Sequence, residues 1–182
     1  MNRTIVALNG MDLPADYFHC RYETLRKPLG FAVGSEHIAD DNVAIHAWVE
    51  ASNEVVAVGR AHLISAGDDG SSADHSGPNA GQCPAFTPLL GMESFPPPEQ
   101  LRPAFQIRQM GTLDEQRRKG MAKDVLSNLE EAAISQWGCV SGWLQARIAA
   151  IPFYQQMGWQ CFGPQYEVTG IGPHVSMYKL WR

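Results

Sequence analysis

The run from Phe105 to Leu113 is apolar enough to be a strand, and it leads through Gln116-Arg117-Arg118-Lys119-Gly120-Met121-Ala122 into an amphipathic helix. No other feature constrains the chain as much. The first N–H groups of a helix have no partner within it, and the helix dipole favours negative charge at that end. Here a short basic turn surrounds those groups. Gly120 lets the backbone approach a diphosphate with no Cβ in the way, Ala122 keeps the next turn thin, and Arg117, Arg118 and Lys119 add charge and donors. A strand, basic turn and helix in this order read as a phosphate site.

Two motifs then point the same way. Arg117-x-x-Gly120-x-Ala122 fits an Arg/Gln-x-x-Gly-x-Gly/Ala signature, and further along Ala150-Ile151-Pro152-Phe153-Tyr154-Gln155-Gln156-Met157-Gly158-Trp159 fits an Ala-x-x-x-Tyr-x-x-x-Gly-Phe segment. With both in this order, the chain resembles the GNAT superfamily of acyl-CoA-dependent N-acetyltransferases over roughly residues 104 to 162. Arg21 to Gly30 is similar to the opening helix of a bacterial subgroup of that superfamily whose substrate is unsettled. The resemblance implies an α/β fold: a mixed, mostly antiparallel twisted sheet flanked by helices, with splayed central strands. It implies acetyl-CoA as co-substrate, an amine as acceptor, and direct attack in a ternary complex.

The resemblance also assigns roles. Backbone N–H groups from Arg117 through Met121 and Ala122 would hold the pyrophosphate, with Arg118 or Lys119 assisting. Met110 and Thr112 fall where main-chain groups of the splayed strand pair with the pantetheine arm and donate to the thioester carbonyl. Tyr154 matches the tyrosine beside the sulfur, a phenol that stays protonated at neutral pH and can protonate the leaving thiolate. Many relatives carry a glutamate base on the central strand, whereas this strand offers Gln106, Arg108 and Gln109. His174 and then His62 are the candidate bases, since neutral imidazole accepts a proton near pH 7. Arg147 stands near where relatives place a CoA-contacting asparagine, and Arg108 and Arg26 are candidates to clamp an acceptor carboxylate. Two other readings stay open: a non-catalytic acyl-CoA-binding domain that lost its base, and an acyltransferase for a longer acyl chain.

Composition sets the outer limits. A chain of 182 residues with 45% hydrophobic and 18% charged residues suits one globular domain, 1–182, with a substantial core. Its formal charge of -5 argues against nucleic acid as a partner, the positive charge being local to Arg117–Lys119. Cys20, Cys83, Cys139 and Cys161 form no Cys-x-x-Cys pair, so neither a metal site nor a redox motif is expected. With no signal peptide and no apolar run near the ~20 residues of a membrane span, the expected location is the cytoplasm, away from membranes.

Periodicity supplies the remaining elements. Thr4 to Leu8 is compatible with a short strand, and Asp16 to Arg26 carries apolar residues at helical spacing until Pro28 and Gly30 close it. Val43 to Glu50 alternates, Ser52-Asn53 turns the chain, and Val55 to Ile64 completes a hairpin. Ala66 to Pro103 is a long Gly/Pro/Ser-rich insertion, expected either to cover the acceptor pocket or to make a dimer contact. After the basic turn, Met121, Val125, Leu126, Leu129 and Ala133 form an apolar stripe, with Lys123, Asp124, Asn128, Glu130 and Glu131 on the other face up to Trp137-Gly138. A strand over Val140 to Ala146, a helix over Ala149 to Met157 and two strands near Tyr166 and His174–Leu180 finish the chain.

Overall fold

The elements of the computed structural model follow these periodicities closely. It describes residues 2–8, 11–65, 67–68, 70–71, 96 and 100–181. Most of the insertion expected at 66–103 therefore lies outside the described residues. In chain order the elements are β1 (Arg3–Ala7), α1 (Ala15–Leu25), β2 (Ile45–Ala51), β3 (Glu54–Ile64), β4 (Ala104–Thr112), α2 (Met121–Trp137), β5 (Ser141–Arg147), α3 (Ile151–Gln156), β6 (Gln160–Val168) and β7 (Gly172–Leu180). The strands form one sheet in the order β1-β2-β3-β4-β5-β7-β6, and only β4 and β5 run parallel.

The β2–β3 hairpin turns at Ser52 and Asn53, whose φ values of 53° and 66° suit a turn that matches the strands' right-handed twist. Its alternation reads differently in three dimensions than along the chain. Ile45, Ala47 and Val49 join the cluster under α2 with Val125, Leu126 and Leu129, while Trp48 joins Tyr17 and Cys20 of α1 in a second cluster. Both faces of the hairpin are buried, because a helix covers each. Strand β2 also begins later than expected, since Asp41–Val43 forms a 3-10 turn that leaves Val43 exposed.

Helix α1 lies close against β4, where only glycine fits. A Cβ on Gly111 would collide with Thr24 of α1 and come within 3.3 Å of Leu25 Cγ. A buried ionic network ties the same helix to β3. Asp41 accepts hydrogen bonds from Arg21 Nη1 (2.9 Å) and Arg60 Nη1 (2.7 Å), both side chains being fully buried, and Arg60 Nη2 lies 2.7 Å from Asp40 Oδ2. Arg21 Nη2 donates to the Tyr17 hydroxyl (2.8 Å), and His46 Nε2 donates to Asp41 O (2.8 Å), which leaves Nδ1 as the acceptor facing Tyr17 (2.9 Å). His46 is thus held neutral; burial pulls its pKa down to about 4.

Helix α2 packs as its stripe requires, with one departure. Glu130, read as part of the polar face, is buried: it accepts from Trp159 Nε1 (2.8 Å) and Lys179 Nζ (2.7 Å), pinning the helix to the far side of the sheet. Gly138 ends the helix in the left-handed region, φ 63°, and its N–H bonds Ile134 O at 2.9 Å.

The decisive feature for function is where β4 and β5 part. They pair only from Ala104 to Gln106, opposite Ser141 to Trp143. Beyond that point β4 follows β3 and β5 follows β7, and the two strands diverge. Gln106 Nε2 donates to Gln145 Oε1 (2.6 Å) across the point of separation. A bulge lies just beyond it: Gln109 takes φ 55°, and the register with β3 slips between Val58 and Arg60.

Candidate active site

A trough runs along the gap between β4 and β5, in three adjoining parts. The first, about 300 Å³, lies at the start of α2 and is lined by Arg118, Gly120, Met121 and Ala122 with Phe153 and Met157 from α3. The second, about 690 Å³, shares Thr112, Arg117, Ala122 and Phe153 with the first and extends to Met110, Ala149 and Tyr154. The third, about 130 Å³, shares Met110, Ala150 and Tyr154 with the second and reaches Arg26, Arg108 and His174. Of the residues singled out from the sequence, Met110, Thr112, Arg117, Arg118, Gly120, Met121, Ala122, Tyr154 and His174 all line this trough. Lys119 does not line it; its ammonium donates to Gln116 Oε1 at 3.1 Å.

The basic turn has a defined backbone. Arg118 and Gly120 both sit in the left-handed region, at φ 61° and 88°, so the chain winds tightly into α2. Asp124 is the first residue whose N–H finds a helical acceptor, Gly120 O at 3.0 Å, so the N–H groups of the turn before it are left for a ligand or water. Arg117 differs from its neighbours: its N–H already bonds Asp114 O (3.2 Å) and its exposed guanidinium pairs with Asp114 Oδ1 (2.7 Å). The donor set therefore starts at Arg118. An anionic, elongated ligand fits such a cradle, with open space around Gly120 on the side where a Cβ would stand.

Tyr154 stands where the second and third parts meet. It is buried, with its ring against Phe153 (5.0 Å) and Trp159 (6.4 Å). Burial pushes its phenol pKa up, and the nearby positive charge of Arg147 works against that shift. His174 is opposite Arg147 in the β5–β7 pairing and stacks on Tyr166. Its Nδ1 lies 2.7 Å from Gly172 O, so Nδ1 carries a proton.

The second histidine goes elsewhere. His62 lines a separate cavity with Asp40, Leu63 and Trp137, and burial together with Arg60 and Arg108 lowers its pKa to about 3. Arg26 and Arg108, by contrast, do reach the trough, as do Leu25, Gln145 and Ile171, which the sequence reading did not single out. Those three carry no motif; they meet only because α1, β5 and the β6–β7 turn converge on one end of the gap. Among the described residues no group of three or more His, Cys, Asp or Glu is placed to hold a metal ion. None of the described helices is long and apolar enough to cross a membrane.

Comparison with known proteins matches this geometry. The profile described as Acetyltransferase (GNAT) domain matches residues 99–180. Over this stretch the chain is similar to the GNAT acetyltransferases. The chain is 29% identical over 98 residues to "Uncharacterized N-acetyltransferase YitI" of Bacillus subtilis (strain 168), a match covering 52% of this chain and 65% of that protein. The chain thus spans less than two thirds of the length of that curated relative. The whole GNAT fold is shared with an acyl-CoA N-acyltransferase from Pseudomonas aeruginosa (TM-score 0.64, 13% identity, 98% of this chain and 99% of that one). It is shared also with an aminoglycoside 6'-N-acetyltransferase complexed with coenzyme A (TM-score 0.62, 11% identity, 97% and 96%).

Proposed function

We propose that the protein transfers an acetyl group from acetyl-CoA to a primary amine of a small molecule or protein, by direct attack in a ternary complex. One observation carries the reading: a single trough joins a helix N-terminus suited to a diphosphate to a second end suited to an acceptor, with Tyr154 at the junction. The N–H groups from Arg118 to Ala122 bind the pyrophosphate, helped by the Arg118 side chain. Main-chain groups at Met110 and Thr112 hold the arm and polarise the thioester carbonyl.

The acceptor arrives as an ammonium and must lose a proton before its nitrogen can attack the thioester carbon. His174 Nε2, directly or through water, takes that proton. Three guanidiniums nearby, those of Arg26, Arg108 and Arg147, favour the neutral amine over the ammonium and so share the work of the missing strand glutamate. As the C–N bond forms the C–S bond breaks. The Tyr154 phenol gives its proton to the departing sulfur, and Arg147 eases that proton's departure.

The test is to incubate the protein with acetyl-CoA and an amine panel while following free thiol. Amine-dependent thiol release is the expected result; saturable CoA binding with no release across the panel refutes it. That outcome would favour a second reading, a non-catalytic acyl-CoA-binding domain, which is supported by the absence of any carboxylate among the described residues lining the acceptor end. Running longer acyl-CoAs beside acetyl-CoA tests the acyl preference. A cytoplasmic setting is part of the same proposal.

A further inference from the structure

Gly59 sits in the middle of β3, where a glycine weakens the strand unless something has to come close to it. Its backbone is not what requires glycine, because it stays outside the left-handed region. Space requires it. A Cβ there would collide with Met110 Sδ and stand 2.7 Å from Val125 Cγ1 and 3.0 Å from Leu129 Cδ1. The Met110 thioether is therefore laid over the bare backbone of Gly59, beneath α2.

This contact coincides with the β4 bulge. In the β3–β4 register Val58 pairs with Gly111 and Arg60 with Arg108, so Gln109 and Met110 together face Gly59 alone. Each bulged residue is held on its own side. Gln109 Oε1 accepts from Arg26 Nη2 at 2.7 Å, just past the end of α1, while Met110 is held by Gly59 with Val125 and Leu129 of α2. Gly59 is fixed in turn through its carbonyl oxygen, 3.1 Å from the Tyr17 hydroxyl of α1. Since β5 pairs with β4 only as far as Gln106, β4 is unpaired on that side at Met110, which lines both the middle and the acceptor part of the trough.

We propose that Gly59 is a positioning residue for acyl transfer: by seating the Met110 thioether it fixes the bulge that sets the Met110 main chain against the thioester carbonyl. This rests on the acyl-transfer reading and adds to it a residue that itself lines no part of the trough. The fit leaves no slack. Ordinary contact between non-bonded carbons is about 3.5–4.0 Å, so an alanine methyl at Gly59 has to displace its neighbours by about 1 Å. A shift of ~1 Å in a reacting geometry costs about a hundredfold in rate.

The experiment compares acetyl-CoA with S-ethyl-CoA, which matches it in length and lacks the carbonyl, by calorimetry on the full chain and on Gly59→Ala. Amine-dependent thiol release from acetyl-CoA is followed beside it. The parent is expected to prefer acetyl-CoA by about three- to tenfold, the range of one hydrogen bond. In Gly59→Ala that preference should fall to about unity and kcat should fall by about ten- to a hundredfold, while free CoA binds within a few-fold of the parent and so reports a folded variant. A parent that binds both ligands equally, or a folded Gly59→Ala that keeps the preference, overturns the proposal. An equal loss of free CoA binding means that α2 has moved as a whole, and overturns it too. Loss of the preference in a protein that releases no thiol with any amine supports the seating and overturns acetyl transfer instead. Met110→Ala empties the seat from the other side: where Gly59→Ala does not fold, the same loss is expected of Met110→Ala, and a retained preference there overturns the proposal.

Discussion

Replacing Asp41 by Asn should cost about 3 kcal/mol of stability, the lower end of the ~3–5 kcal/mol found when one partner of a buried ion pair is removed. Asn keeps the volume, so the effect isolates charge. Asp41 is the only carboxylate shared by Arg21 and Arg60 among the described ion pairs, and both guanidinium side chains are fully buried. The lower end applies because each arginine keeps other acceptors. Arg21 still reaches Glu36 O (2.8 Å) and the Tyr17 hydroxyl (2.8 Å), and Arg60 still reaches Asp40. For a chain of this size, about 3 kcal/mol corresponds to a fall in Tm of roughly 6–12 °C. Urea unfolding followed by circular dichroism measures it, with an unchanged m-value as the sign that only the folded state is affected. Glu23→Gln, which breaks the exposed Lys27–Glu23 pair, is the control and should leave the midpoint unmoved within error. If Asp41→Asn behaves like the control, desolvation of the network cancels its attraction and the reasoning fails. Since the same network seats α1, whose end supplies Leu25 and Arg26 to the trough, acceptor KM should rise in the folded variant more than CoA affinity falls.

Other expectations follow from the same geometry. His46 and His62 resist protonation down to about 4 and about 3, against 6.5 when unfolded, so the unfolded chain binds more protons between those values. Stability should be full above about pH 6.5 and fall as the pH drops through that window, before the lowered carboxyls of Asp40 and Asp41 lose their contribution at more acid pH. A Tm that is flat from pH 7 to 5 contradicts this. Tyr154→Phe should lower kcat by about a hundredfold or more while CoA affinity stays within a few-fold; stopped-time thiol assays with calorimetry separate the two, and unaltered turnover removes the acid role. Gly120→Val forces a β-branched residue to φ 88°, a strain on the order of 1–2 kcal/mol, and should weaken CoA binding by about tenfold. Affinity within twofold of the parent would show that the turn's geometry is not what the diphosphate needs.

The sequence announced the elements better than it announced their neighbours. The limits of α1 and α2, the hairpin turn at Ser52-Asn53 and the strand–turn–helix at 104–122 all follow from periodicity and turn chemistry acting over a few residues. What periodicity reports is which side of an element is apolar, not what covers the other side. That is why the second face of β2, with His46 and Trp48, was legible as a face but not as a buried one. Glu130 illustrates the same limit, because its partners lie 29 and 49 residues away on β6's approach and β7. At the candidate site, the motif-bearing residues were legible individually, whereas the convergence of Arg26, Arg108, Arg147 and His174 depends on a bulge and a strand separation that no local pattern encodes. His62 was misjudged as a base candidate for the same reason: the alternation placed it on a strand, and only the assembled fold puts it in a separate cavity with Asp40 and Trp137.

The aromatic rings beside the trough make the molecule its own optical reporter. Tyr154 at the junction is 6.4 Å from Trp159, Trp159 is 6.1 Å from Trp181, and Trp181 is 5.2 Å from Phe105 in the core. Any occupant that alters the polarity next to the phenol reaches the emitting indoles through direct ring contact. Intrinsic emission can therefore follow filling and emptying of the groove in real time, without a label and without waiting for chemistry.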